Sequence, residues 1–166
     1  MEELIDVLEK EEKQYEGLIA LAAQKREAII KADIKFLDEI TAKESDVASA
    51  LQNIAKKRTR VLNDMATVLG KEPTEITITK LIGYLVNQPE EQQKLAELKE
   101  RLLNTGTKMK TANEQNEVLL KMALEMVEFD MTLLKSMRQA PETANYNKRA
   151  YSTGDLLGGG GFDAKQ

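Results

Sequence analysis

Residues 118–137, VLLKMALEMVEFDMTLLKSM, are the last helical stretch before the sequence turns polar and glycine-rich. At helical spacing this stretch carries two apolar seams, whereas a surface helix normally needs only one. The first seam consists of Leu119, Ala123, Met126, Leu133 and Met137, and the second seam of Leu120, Leu124, Val127, Met131 and Leu134. The first seam continues an apolar line that begins at Leu95, so we assign it to the protein's own core. The second seam needs a separate partner: another part of this chain, a second copy, or a different protein.

Methionine is concentrated on the same helix. Five of the seven methionines lie on the long helix predicted over about residues 90–137, to which this stretch belongs: Met109, Met122, Met126, Met131 and Met137. Thioether side chains are unbranched and repack readily, which suits a groove that accepts more than one apolar helix. Methionine is also ordinary core filler, and the residues alone favour a second seam buried inside a bundle or a dimer. If the partner is external, we expect an amphipathic helix laid into a groove.

The composition favours one domain of long amphipathic helices. The chain has 166 residues, of which 31% are charged and 42% hydrophobic, with 4% aromatic residues and no Trp, so a bulky globular centre is not expected. A net charge of -4 provides no basic patch for nucleic acid, and we therefore expect no nucleic-acid partner.

The sequence contains no Cys and no His. The usual zinc, copper and iron–sulfur ligands, the thiol nucleophile and the imidazole base are therefore missing, and no pair of carboxylates stands out. We expect no enzymatic activity, no cofactor, no metal and no small-molecule substrate. The N-terminal MEELIDVLEK lacks the features of a secretory signal, and no span of about 18 uncharged apolar residues occurs. These features predict a cytoplasmic protein.

The first half of the chain predicts a helical hairpin. Apolar heptad seams indicate helices over about residues 2–31 and 34–69, with Asp33 capping the second and Gly70 ending it. Each seam contains two charged residues: Glu11 and Lys25 in the first helix, Glu44 and Arg58 in the second.

These charged residues test the register of the hairpin. In an antiparallel pair, facing residues have a constant sum of residue numbers, and Glu11 with Arg58 and Lys25 with Glu44 both add up to 69. Opposite charges therefore meet at both places. Alternatively, all four side chains extend to solvent and contribute little.

The second half predicts a short connecting helix and one long helix. The short helix covers about residues 78–86, starting at Thr77 or Thr79, and the long one covers about 90–137. The alternation of Ile76 and Ile78 is equally consistent with a brief extended segment in the connector. Residues 104–107 are poor helix formers, so a kink, bulge or frayed turn is expected there. The expected fold class is all-α: an elongated antiparallel bundle or coiled coil of three long helices plus one short connecting helix. This domain covers residues 1–140, and a flexible Tyr- and Gly-containing C-terminal tail covers 141–166.

The pattern resembles the FlgN family of bacterial flagellar type III export chaperones. The resemblance is carried by EEKQYEGLIALAAQKREAIIKADIKFLDEITAKES (11–45), RTRVLNDMATVL (58–69), NEQNEVLLKMALEM (113–126) and the tail segment YNKRAYSTG (146–154). These are diffuse heptad-like similarities that cover most of the chain, without a catalytic signature. The glycine-rich end after Leu157 has no counterpart in this resemblance.

The resemblance implies a cytoplasmic, non-enzymatic chaperone. It would bind the amphipathic C-terminal helices of hook-associated proteins, prevent their premature assembly and deliver them to the membrane export gate. The implied partner-binding residues are those of the second seam: Leu120, Leu124, Val127, Met131 and Leu134. The implied contact with the export gate lies at Tyr146, with Tyr151 as the alternative. The competing hypothesis is a structural coiled-coil homodimer without a client, with the second seam as its interface.

Overall fold

The computed structural model describes residues 1–139, and these residues form helices joined by short turns. The helices are α1 (Glu2–Lys31), α2 (Ile34–Val68), α3 (Ile78–Tyr84) and α4 (Pro89–Gln139), with a single 3₁₀ turn at Pro73–Glu75. The chain divides into two units, with the boundary between Ala123 and Leu124. The first unit holds the hydrophobic core, and the second begins within α4.

The turn between α1 and α2 is fixed by an N-cap and by a left-handed residue. The carboxylate of Asp33 accepts a hydrogen bond from the backbone N–H of Phe36 at 3.0 Å, as the sequence predicts. Ala32 takes the left-handed conformation, with φ 52° and ψ 34°. At the end of α2 the same conformation is taken by Gly70, with φ 62°, and Lys71 N–H donates to the carbonyl of Ala66 at 2.9 Å.

Replacing Ala32 with Gly should stabilise the protein by about 0.5–1 kcal/mol. A left-handed conformation costs an L-residue with a side chain about 1–2 kcal/mol, and the greater freedom of Gly in the unfolded chain offsets only part of that gain. Urea unfolding of the variant measures the difference. Gly70→Ala is the converse variant and should destabilise by a similar amount; equal effects of the same sign would contradict the explanation.

The hairpin of α1 and α2 has the predicted register. Lys25 Nζ lies 2.6 Å from Glu44 Oε2, and Arg58 Nη1 donates to both carboxylate oxygens of Glu11 at 2.6 Å. Glu11 is buried, and the hydroxyl of Tyr15 donates to its Oε1 at 3.4 Å. Burial, followed by the negative charge of Glu11, raises the pKa of Tyr15. Both ion pairs are therefore parts of the helix–helix contact, and the interpretation that these side chains simply extend to solvent is wrong.

The first part of α4 contacts α1 at two separated points. Arg101 Nη2 lies 3.0 Å from Glu12 Oε2, and Asn116 Nδ2 donates to the backbone carbonyl of Ala22 at 2.7 Å. The contact farther along α1, at Ala22, is also the one farther along α4, at Asn116. This part of α4 therefore runs in the same direction as α1. Asn116 is 5% exposed, so it is a buried polar residue whose amide donates to the neighbouring helix.

The main apolar cluster joins the start of α1, the end of α2, the connector and the start of α4. Its buried members are Leu4, Leu8, Val61, Ala66, Ile76, Leu81, Leu95 and Leu98. The short helix α3 is capped by Thr77, whose hydroxyl accepts from Lys80 N–H at 3.2 Å. Of the two predicted starting points, Thr77 is the one used. The connector thus contributes Ile76 and Leu81 to the core.

The poor helix formers in the middle of the long helix are helical throughout. Residues 104–107 lie inside α4 without a frayed turn or a bulge. The hydroxyl of Thr107 donates to the carbonyl of Leu103 at 2.8 Å, and the helical position of Gly106 has open space around it. Each poor helix former costs less than about 1 kcal/mol, which long helical segments on both sides can outweigh.

Candidate partner-binding surface

The second seam is exposed along its length. The exposed fractions of its residues are 37% for Leu120, 58% for Leu124, 54% for Val127, 52% for Met131 and 61% for Leu134. Large apolar side chains at these exposures on successive turns form a continuous apolar face. This exposed apolar face is the candidate surface for a partner.

The assignment of the whole first seam to the core is wrong for its second half. Leu119 and Ala123 are half-buried, as expected, but Met126 is 68%, Leu133 48% and Met137 67% exposed. From Leu124 onward, α4 therefore carries two exposed apolar seams. Residues 124–139 form the C-terminal part of α4, the α4 end.

Within the first unit, the first seam is packed as far as Ala123. Asn116 contacts Ala22, which lies nine residues before Lys31, the last residue of α1. Ala123, the last half-buried residue of the seam, lies seven residues after Asn116. Within the first unit, the buried seam of α4 thus extends about as far as α1 does.

The apolar surface of the α4 end is unusually wide. At about 100° per residue, its large apolar side chains span about 220° of the helix circumference, compared with about 100° for a surface helix. They are Leu124, Met126, Val127, Phe129, Met131, Leu133, Leu134 and Met137, all exposed. Phe129 belongs to neither predicted seam; it is 67% exposed and extends the apolar arc beside the first seam. Phe129 is the one aromatic residue of α4, and this was the feature of the sequence that could have marked it as part of the apolar surface.

Polar residues of the α4 end form a narrow strip opposite the apolar arc. At helical spacing the strip contains Glu125, Glu128, Thr132, Lys135 and Ser136. Two charged residues fall inside the arc instead: Asp130 at a position of the first seam and Arg138 at the continuation of the second. Their opposite signs distinguish the two seams electrostatically.

This surface can bind a partner by burying its apolar side chains. Covering one Leu or Met side chain fully contributes about 1.5–3 kcal/mol. Among residues 1–139, no three His, Cys, Asp or Glu side chains are grouped to hold a metal ion. Nor is any helix in that range both long and apolar enough to span a membrane. Tyr146 and Tyr151, the residues predicted to contact the export gate, lie outside the described residues.

Comparison with known proteins agrees with the resemblance found in the sequence. The family model described as FlgN protein matches residues 1–153 of the chain. This range includes all of the described helices and both tail tyrosines. Among curated proteins and among solved structures, none is significantly similar to the chain. The family match covers far more than half of the sequence and confirms the predicted relationship. The chain therefore belongs to the FlgN family, and its general role is that of a flagellar export chaperone.

Proposed function

We propose that this protein binds the amphipathic C-terminal helix of a hook-associated protein on its second seam. In the cytoplasm it prevents that helix from assembling prematurely, and it then delivers the client to the export gate. The exposure of Leu124, Val127, Met131 and Leu134 on successive turns is the observation that supports this proposal. No catalytic step is part of the proposed function.

The physical mechanism is helix-to-helix burial. A client helix with one apolar stripe self-associates when exposed, and the second seam offers a stripe of the same periodicity. Met131 adapts its side chain to the partner, whereas Leu124 and Leu134 have fewer rotamers and favour a defined register. Most of the affinity should come from a few central residues, which keeps the complex reversible for delivery.

Calorimetric titration with a synthetic peptide of the client's C-terminal helix tests the proposal. The client is a hook-associated protein of the bacterium that encodes this chain. We expect saturable binding with a negative heat-capacity change, because apolar surface is buried. Absence of binding by a folded protein would contradict the proposed function.

Truncation after Gln139 should leave peptide affinity unchanged and impair export of the client. The reason is that the proposed client contacts lie within α4, whereas Tyr146 and Tyr151 are proposed to contact the export gate. Titration of the truncated protein and secretion of the client by cells carrying it measure the two effects. Tyr146→Ala and Tyr151→Ala identify the responsible residue, and loss of peptide binding on truncation would contradict this division of roles.

A homodimer without a client is the second candidate function. The same uncovered second seam supports it, since an apolar face can pair with its own copy. The molar mass of the free protein in solution separates the candidates. A stable dimer that is dissociated by Leu124→Asp and binds no client peptide would favour the homodimer.

A further inference from the structure

The exposed half of the first seam has no role in the proposed function. Met126, Leu133 and Met137 are about half to two-thirds exposed and lie on successive turns, with Asp130 at the seam position between them. Exposed apolar side chains in this arrangement mark a binding surface for a helix, as those of the second seam do.

We propose that the first seam of the α4 end binds a second amphipathic helix of the same client, one that carries a Lys or Arg facing Asp130. This inference rests on the proposed function, because it assigns a further part of the same client to the same helix. The second seam binds the client's C-terminal helix, and the first seam binds another helical segment of that client.

One client helix is too narrow to cover both seams. Met126 and Val127 are neighbours in sequence, so the two seams lie about 100° apart around the axis of α4. An amphipathic helix buries a stripe of about that width against one neighbour. In the complex, the α4 end therefore contacts two client helices, one on each of two adjacent faces, as a helix of a four-helix bundle contacts its two neighbours.

Asp130 identifies the chemistry of the second helix. A helix seated on the first seam removes water from this carboxylate, and a buried carboxylate needs a cation or hydrogen-bond donors. A Lys or Arg in the client helix supplies both. The charged group of the partner can then pair with Asp130 while its apolar stripe covers Met126, Leu133 and Met137.

A second copy of this chain that pairs through its own first seam lacks that cation. The positions of the first seam from Leu119 to Met137 contain Leu, Ala, Met and Asp, and no Lys or Arg. Two copies joined through their first seams would therefore leave both Asp130 carboxylates without a cation from the opposing seam. The charge pattern therefore favours a basic amphipathic helix of the client over the pairing of two first seams, and in the proposed function the second seam, which Arg138 continues, is occupied by the client's C-terminal helix.

Two adjacent leucines provide matched variants for the test. Leu133 belongs to the first seam and Leu134 to the second, and both are exposed, at 48% and 61%. The probes are the purified full-length hook-associated protein and the peptide of its C-terminal helix. Leu134→Asp should weaken binding of both probes by at least about tenfold. Leu133→Asp should weaken only the full-length client by at least about tenfold and change peptide affinity by less than about twofold.

A charge reversal provides a second test that leaves the apolar residues in place. Asp130→Lys should weaken the full-length client and leave the peptide unaffected, since the client cation then faces a cation. Full-length affinity that is unchanged in both Leu133→Asp and Asp130→Lys would overturn the inference. So would a dimer of the free protein that Leu133→Asp dissociates. Failure of Leu134→Asp to weaken the peptide would instead refute the proposed function itself.

Discussion

Leu124→Asp should abolish binding of the client's C-terminal helix while leaving the helical content of the protein unchanged. The side chain is 58% exposed in the free protein, so a carboxylate there stays hydrated and costs little stability. In the complex the same carboxylate would be buried against the apolar stripe of the client, and the burial of one leucine would be lost as well. Truncation of a central interface residue costs about 2–4 kcal/mol, and we expect a loss of affinity of about a hundredfold or more.

Met131 and Thr132 provide the matched control for this prediction. Met131→Asp places a carboxylate on the second seam and should weaken the peptide as Leu124→Asp does. Thr132→Asp adds the same charge one residue later, on the polar strip, and should leave peptide affinity within about twofold because exposed charges are well screened. Circular dichroism checks folding. If Leu124→Asp or Met131→Asp unfolded the protein, the second seam would belong to the core.

The helical class and the hairpin register could be predicted because local signals and long-range charges agree. Asp33 marks the start of α2 through its own side-chain chemistry, which needs no knowledge of the rest of the fold. The pairing of Glu11 with Arg58 relied on a further condition, namely that Lys25 and Glu44 meet in the same register. Two coincident ion pairs in otherwise apolar seams left little freedom for a different alignment.

The exposure of the first seam beyond Ala123 could not be predicted from periodicity. A heptad pattern shows which face of a helix can be buried, but it does not show along how much of its length that face is covered. Met126, Leu133 and Met137 continue the pattern that begins at Leu95 without any break in spacing. The spacing therefore predicted one seam in the core and one seam against a partner, whereas both seams are exposed at the α4 end.

The buried role of Asn116 was only partly visible in the sequence. The spacing of α4 places Asn116 in line with the apolar residues of the first seam, but it does not show what the side chain contacts. The acceptor is the backbone carbonyl of Ala22, 94 residues away in sequence. Every residue type presents such a carbonyl, so no sequence pattern in α1 could have identified the partner.

Arg58→Met should reduce the free energy of unfolding by about 3 kcal/mol, the lower end of the range for removing one partner of a buried ion pair. Glu11 would remain in the interface of α1 and α2 with its side chain 5% exposed and its bidentate partner gone. Only the hydroxyl of Tyr15, at 3.4 Å, would still donate to it. The lower end is chosen because the side chain of Arg58 is 34% exposed, so part of its charge is already solvated. Urea unfolding followed by circular dichroism measures the change.

Two further variants separate the cost of the unpaired charge from the loss of packing. In the double variant Glu11→Met, Arg58→Met, no charge remains to be buried, and most of the lost stability should return because apolar side chains of similar length fill the site. Lys25→Met tests the second ion pair, in which Glu44 is 20% exposed and more accessible to water than Glu11. Its cost should be smaller, about 1 kcal/mol. If the double variant were as unstable as Arg58→Met alone, the pair would stabilise the hairpin through its packing and geometry, and the unpaired charge would not be the cause.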